Sequence, residues 1–188
     1  HIRNAVICSK EMCFALMGIS INDTLLDTIV NDMIQKTVEI NNCACSAIIS
    51  NPLSDYLKLA DTYQKLKEGF HIRMIRKQQW QCIFLDELQY DRIMLHISED
   101  TEVHQFIRCK LGPLVEYDRA HDTQLLETLE ALIQNHNSRK LAAESLFLHR
   151  NTMVHRINKI EEVLHCSLDD TEIMEQLEFA IKMKMYAH

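Results

Sequence analysis

Hydrogen-bond donors and positive charges are concentrated in one short stretch of the chain, residues 138–157, which reads SRKLAAESLFLHRNTMVHRI. Its second half brings Arg150, Asn151, Thr152 and Arg156 close together in the sequence. Guanidinium, amide and hydroxyl groups of this kind hydrogen-bond to phosphate oxygens and to the edges of bases. Two packed helices can also keep a polar outer face that is simply hydrated. The pattern alone leaves both interpretations open.

The spacing of apolar residues predicts a helix over residues 151–164. Met153, Ile157, Ile160 and Leu164 form one narrow stripe, which we expect to face the core. The outward residues on the opposite face and its flanks are Asn151, Thr152, His155, Arg156, Asn158 and Lys159, with Arg150 just before the first turn. Because a helix N-terminus adds unpaired N–H groups and partial positive charge, phosphate is favoured there.

A second helix is predicted just upstream, in SRKLAAESLF. Ala142 and Ala143 are small enough to let two helices cross closely, and Leu148 is expected to plug the turn between them. Two helices joined by a three- or four-residue turn predict a helix-turn-helix, whose second helix enters the major groove. In that pose Arg150 and Arg156 can pair with guanine or phosphate, Asn151 with adenine, while Lys140 and Thr152 position the backbone. Phe147 departs from the pattern, since this turn position is often Gly.

The charge of the chain is unevenly distributed. The whole chain carries a formal charge of −7. Residues 138–160 hold five basic residues and one acidic residue, Glu144, so this segment carries +4 and the remainder −11. One basic surface on an acidic body is expected if a single face meets phosphate. The competing hypothesis is a protein-interaction module, in which the helical hairpin docks a partner protein and the acidic body repels nucleic acid.

The remaining pattern predicts a helix-rich α+β chain, because only 3 Gly and 2 Pro are present for tight turns. Predicted elements are a hairpin (4–17), helices at 22–40, 54–76, 87–97, 100–111 and 123–135, strands at 43–50 and 80–88, and a last helix beginning near Asp169. Gly112 and Pro113 are expected to mark a domain boundary. With no apolar run long enough to cross a bilayer, the chain is expected to be cytoplasmic.

The sequence offers no defensible catalytic or metal site. The seven cysteines are scattered and lie mostly in apolar surroundings, which is typical of reduced residues that act as small hydrophobes. Cys43 and Cys45 would share one face of a strand, but no C-x-x-C partner or neighbouring His accompanies them. No Ser-His-Asp, Cys-His or paired-carboxylate cluster follows from the spacing. We expect no metal, no cofactor and no enzymatic activity.

Residues 111–187 resemble the C-terminal domain of bacterial transcriptional regulators of the PucR/CdaR type. The features that carry the resemblance are LGPL at the start, LLETL in the first helix, AA in the second, HRNT with a following arginine, and LDD before the last helix. The resemblance implies that His149 and His155 also lie at the DNA, although relatives often carry an aromatic where His155 stands. With the basic residues of the segment, the predicted DNA-binding set is Arg139, Lys140, His149, Arg150, Asn151, Thr152, His155, Arg156 and Lys159.

The resemblance also implies the domain organisation, namely a small GGDEF-like α/β domain over 1–110 followed by an all-α helix-turn-helix domain over 111–188. A working diguanylate cyclase needs a Gly-Gly turn, and this chain has none, so the first domain is expected to be degenerate and non-catalytic. Two copies on an inverted repeat would place their recognition helices about 34 Å apart. Because the chain begins with His1 rather than Met, we expect either that it is part of a longer protein or that His1 is an added residue. A small-molecule effector is expected to be sensed by a segment outside this chain.

Overall fold

The computed structural model describes residues 5–8, 13–16, 23–41, 46–53, 55–76 and 82–187, with side chains described for 28–40, 46–53, 55–76 and 82–187. The strands are β1 (Ala5–Cys8), β2 (Cys13–Leu16), β3 (Ala47–Ile49) and β4 (Cys82–Phe84). The α-helices are α1 (Asp23–Asn41), α2 (Leu59–Arg76), α3 (Gln89–Ser98), α4 (Thr101–His121), α5 (Leu125–Gln134), α6 (Arg139–Ser145), α7 (Arg150–Leu164) and α8 (Thr171–Tyr186). This order confirms the predicted succession of elements.

The chain divides into two compact units, His1–Leu66 with Gln78–Asp86, and Lys67–Lys77 with Glu87–His188. In the first unit β1 and β2 form the predicted antiparallel hairpin, with Ala5 opposite Leu16. The β-branched and apolar residues of β3 and β4 pair in parallel. The suggestion about Cys43 and Cys45 lies outside the described residues. The assignment of this region as GGDEF-like stays a prediction.

The second unit is built from helices, and its core confirms the predicted apolar stripes. Buried side chains from α4 to α8 and the segment before α8 form one cluster: Leu111, Leu114, Leu125, Leu129, Ala131, Leu132, Ala142, Ala143, Met153, Ile157, Ile160, Leu168, Met174, Leu177, Ala180 and Ile181. Ala142 is fully buried, as expected for a close helix crossing. At the start of α8 the cap is Asp170, whose carboxylate accepts the N–H of Glu172 at 2.9 Å.

The predicted break at Gly112 and Pro113 is wrong, because both residues lie inside α4. A proline in a helix interior removes one hydrogen bond and leaves the carbonyl four residues earlier unpaired. Pro113 and Cys109 are both exposed, so that carbonyl can reach water. On the inner face Leu111 and Leu114 are 1% and 0% exposed, and their burial favours a continuous helix. The assignment of domains to 1–110 and 111–188 stays a prediction.

A buried ionic group fixes the far end of α8 within the second unit. Asp91 of α3 is 3% exposed and pairs with the guanidinium of Arg76 at 2.8 Å. The hydroxyl of Tyr186 donates to the same carboxylate. Burial, followed by the hydrogen bond to Asp91, raises the pKa of Tyr186 to about 12. The phenol therefore remains a donor at neutral pH.

Among the described helices, none combines the length and apolar composition needed to span a membrane.

Candidate nucleic-acid interface

The candidate interface is built on α6, α7 and the turn between them. Three backbone hydrogen bonds close the end of α6: Leu146 N–H to Ala142 O at 3.2 Å, Phe147 N–H to Glu144 O at 3.1 Å, and Leu148 N–H to Ala143 O at 2.8 Å. Phe147 takes the left-handed backbone conformation that such helix ends require, with φ of 54°. The chain thereby reverses and enters α7 within four residues.

The first turn of α7 is capped by a residue predicted to bind DNA. His149 has extended backbone angles, and its Nδ1 accepts the N–H of Asn151 at 3.2 Å. The helix begins at Arg150, one residue before the predicted start. His149 therefore has a structural role that the sequence pattern did not indicate, because His is an uncommon N-cap residue.

The two faces of α7 lie as predicted. Met153, Ile157 and Ile160 are buried, and Leu164 is partly buried against the same core. The side chains exposed on the outer face and at the start of the helix are Arg150, Asn151, Thr152, His155 and Asn158. Within the part of the chain that the structure describes, the Arg150 guanidinium makes no ion pair. A row of hydrogen-bond donors is therefore presented to solvent next to the turn.

Arg156 differs from Arg150, although both were predicted to bind DNA. It is half-buried on the flank of α7. Its Nη1 donates to the Thr128 hydroxyl at 3.2 Å, and its Nη2 donates to the Gln124 side-chain oxygen at 3.1 Å. The guanidinium thus ties α7 to the start of α5. Its contact with DNA stays a prediction, and any such contact must use the remaining N–H groups or break these bonds.

Asp118, near the end of α4, caps α5 from a neighbouring helix, because Gln124 at the N-cap position makes no side-chain cap. Its Oδ1 accepts the Thr123 hydroxyl at 2.6 Å and the Leu125 N–H at 2.7 Å, and its Oδ2 accepts the Leu126 N–H at 2.9 Å. Burial raises the pKa of this carboxyl, but these hydrogen bonds and the nearby Arg156 charge outweigh burial and hold the pKa below its ordinary value.

Three of the predicted basic residues are paired with acids at the surface. Arg139 Nη2 lies 2.8 Å from Asp169 Oδ1, and Lys140 Nζ lies 3.9 Å from Glu144 Oε1. Lys159 Nζ lies 2.5 Å from Glu162 Oε2, and this hydrogen bond raises the pKa of the lysine. Exposed pairs of this kind contribute little to stability, so phosphate can replace the acid partner.

A cleft of about 260 Å³ runs between the flank of α7 and the start of α5. It is lined by Tyr117, Asp122, Thr123, Gln124, Leu125, Thr152, His155, Arg156 and Lys159. Four of the predicted DNA-binding residues therefore meet at one place. Arg139 and Lys140 lie apart from them, in the first turn of α6. No cluster of His, Cys, Asp or Glu suited to a metal ion occurs among the residues described.

A short helix, a tight turn and a longer helix with an exposed polar face define a helix-turn-helix unit within the second unit. Comparison with known proteins agrees with this class. Residues 125–183 match the PucR C-terminal helix-turn-helix domain, a stretch that contains α5, α6, α7 and most of α8. This part of the chain is therefore similar to the PucR type of helix-turn-helix domain.

The chain is also similar to curated relatives. The chain is 31% identical over 130 residues to the proline-responsive transcriptional activator PutR of Bacillus subtilis, covering 69% of this chain and 32% of that protein. It is 32% identical over 91 residues to the purine catabolism regulatory protein of Bacillus subtilis, covering 48% and 17%. It is 24% identical over 135 residues to the carbohydrate diacid regulator of Escherichia coli, covering 71% and 34%. The chain thus spans about a third, or less, of these relatives.

Proposed function

We propose that this chain is part of a DNA-binding transcriptional regulator in which α7 reads the major groove. The observation that carries the proposal is the exposed polar face of α7, beginning at Arg150 and Asn151, in a domain of the PucR helix-turn-helix type. Arg150 pairs with guanine or with phosphate, and Asn151 pairs with adenine. Lys140 and Thr152 hold the DNA backbone.

The flank of α7 completes the proposed interface. Arg156 keeps its bonds to α5 and offers its remaining N–H groups to a phosphate. Lys159 and His155, which line the same cleft, also donate hydrogen bonds to phosphate. Arg139 reaches the adjacent backbone after leaving Asp169. His149 approaches the DNA with its second ring nitrogen, because Nδ1 is occupied by the cap.

We extend the proposal to the whole regulator. Two copies bind an inverted repeat and place their α7 helices about 34 Å apart, one turn of DNA. The region before the helical domain is a degenerate GGDEF-like domain that relays or dimerises and does not catalyse, and the protein acts in the cytoplasm. The relatives are named for proline, purine catabolism and carbohydrate diacids. We propose that a small metabolite also controls this regulator, through a segment outside the described residues.

Selection of bound duplexes from a random DNA pool, followed by titration monitored by fluorescence anisotropy, tests the proposal. The 188-residue chain should bind the selected duplex more tightly than a random one, and both affinities should fall steeply between two salt concentrations. Arg150→Ala should weaken binding to the selected duplex about 5- to 150-fold if Arg150 contacts a base. An equal loss on both duplexes assigns Arg150 to phosphate.

Arg108→Ala is the matched control, since Arg108 is an exposed arginine of α4 outside the predicted set. It should leave the affinity for the selected duplex unchanged. Absence of salt-dependent binding to any duplex, with folded protein, would contradict the proposal. That result would favour the protein-interaction module, in which the same helical hairpin docks a partner protein.

A further inference from the structure

Phe147 is the most exposed large apolar residue among those described, with 97% of its side chain open to solvent. It stands in the turn between α6 and α7, three residues before Arg150. Its backbone has a φ of 54°, in the left-handed region where a side chain clashes with the following carbonyl. Glycine would meet this conformation without strain.

The fold of this chain gains nothing visible from a phenylalanine at this position. An aromatic ring stabilises a fold by leaving water, and this ring stays in water. The backbone requirement of the turn also disfavours it. Leu146 and Leu148, its neighbours in the chain, are both partly buried, and Leu146 packs against the core. The residue type at 147 is therefore best explained by a contact outside this chain.

The surroundings of the ring indicate the kind of contact. His149, Arg150 and Asn151 follow it after Leu148, and all three are exposed at the start of α7. The ring therefore lies two to four residues in sequence before the donor-rich face that is proposed to contact DNA. The major groove offers one apolar group for such a ring, the 5-methyl group of thymine.

We propose that Phe147 packs against a thymine methyl group beside the bases that α7 contacts, and so adds an apolar element to sequence recognition. The inference rests on the proposed function. It assigns a specificity-determining role to the turn, in addition to the role of the helix.

Replacement of single thymines by uracil in the selected duplex tests the inference, because uracil lacks only the 5-methyl group. The unmodified chain should lose about fourfold in affinity at one thymine, the value expected for one buried methyl group. Phe147→Ala should bind the thymine and uracil duplexes equally well. Phe147→Leu should retain part of the discrimination. Val115→Ala, an exposed apolar residue of α4, should discriminate as the unmodified chain does.

Phe147→Gly separates the contact from the fold. It should raise the melting temperature by a few °C, because the backbone strain is relieved, and it should bind the selected duplex more weakly. A lower melting temperature, or unchanged affinity and thymine discrimination in Phe147→Ala, would overturn the inference while leaving DNA binding intact. Failure of the unmodified chain to bind DNA would instead overturn the proposed function.

Discussion

Removal of the Asp118 carboxylate tests how the start of α5, to which Arg156 is bonded, is stabilised. Asp118→Ala should deprive the start of α5 of its only described side-chain cap and leave the N–H groups of Leu125 and Leu126 without an acceptor. Arg156 should lose part of its alignment as well, because it bonds to Gln124 in the same turn. The variant leaves every predicted DNA-binding residue in place.

The expected loss follows from the contacts. An N-cap contributes about 0.5–2 kcal/mol, and hydrogen bonds to a charged acceptor contribute about 1.5–3 kcal/mol each when buried. Asp118 is half-buried, so water replaces part of what is lost. We expect the free energy of unfolding to fall by about 2 kcal/mol. For a unit of this size that corresponds to a fall in melting temperature of roughly 10 °C.

Chemical unfolding over a series of pH values provides the assay, with Asp118→Asn as the control that keeps the shape and removes the charge. Because folding lowers the pKa of Asp118 from its ordinary value of 3.8, its ionised form stabilises the folded state above that pH. The difference between the unmodified chain and Asp118→Asn should be largest near neutral pH. It should shrink as the pH falls below 3.8 towards the lowered pKa.

A stability difference that is the same at pH 3 and pH 7 would refute the assigned role of the carboxylate charge. A loss below about 0.5 kcal/mol in Asp118→Ala would show that water caps α5 equally well. Neither result would bear on the bonds from Arg156 to Thr128 and Gln124, which do not involve Asp118.

Five further variants, at four positions, test the assigned structural and DNA-binding roles. Gly112→Ala should raise the free energy of unfolding by about 0.5–1 kcal/mol in denaturant titrations, since an added Cβ meets nothing within 4 Å. His149→Ala should lower it by about 1 kcal/mol through loss of the cap, whereas His149→Asp should restore stability but weaken DNA binding by charge repulsion. Arg156→Ala should cost about 1 kcal/mol by removing the guanidinium that donates to Thr128 and Gln124, because the Thr128 hydroxyl keeps its own bond to the Gln124 carbonyl oxygen. Arg150→Ala should change stability by less than about 0.5 kcal/mol.

The orientation of α7 was predictable because it follows from local periodicity. Met153, Ile157 and Ile160 recur at helical spacing, and only one rotation of the helix buries all three. The outward position of Asn151 and His155 then follows without further information. Composition and turn residues likewise predicted the hairpin and the order of short strands between helices, but not that β3 and β4 pair in parallel.

The errors and omissions concern interactions between residues distant in sequence. Pro113 is a reliable helix breaker when only neighbours are considered, and the core that holds α4 together is assembled from helices that come later in the chain. The Asp118 cap joins residues seven and eight positions apart across a helix end. The bond between Arg156 and Thr128 spans 28 positions. No local pattern encodes either contact.

These contacts also change how the charge of the segment is interpreted. Its charge of +4 treats all the basic residues alike, but the structure gives them different partners. Arg139 and Lys159 are paired with Asp169 and Glu162, which both lie outside the segment. Arg156 is bonded to Thr128 and Gln124 and keeps only its remaining N–H groups for a phosphate, whereas Arg150 has no ion-pair partner to leave among the described residues. The dependence of affinity on salt therefore measures how many of these cations contact phosphate. The slope of log K against log salt concentration is about −1 per chain if only Arg150 contacts phosphate, and about −4.5 if all five basic residues do.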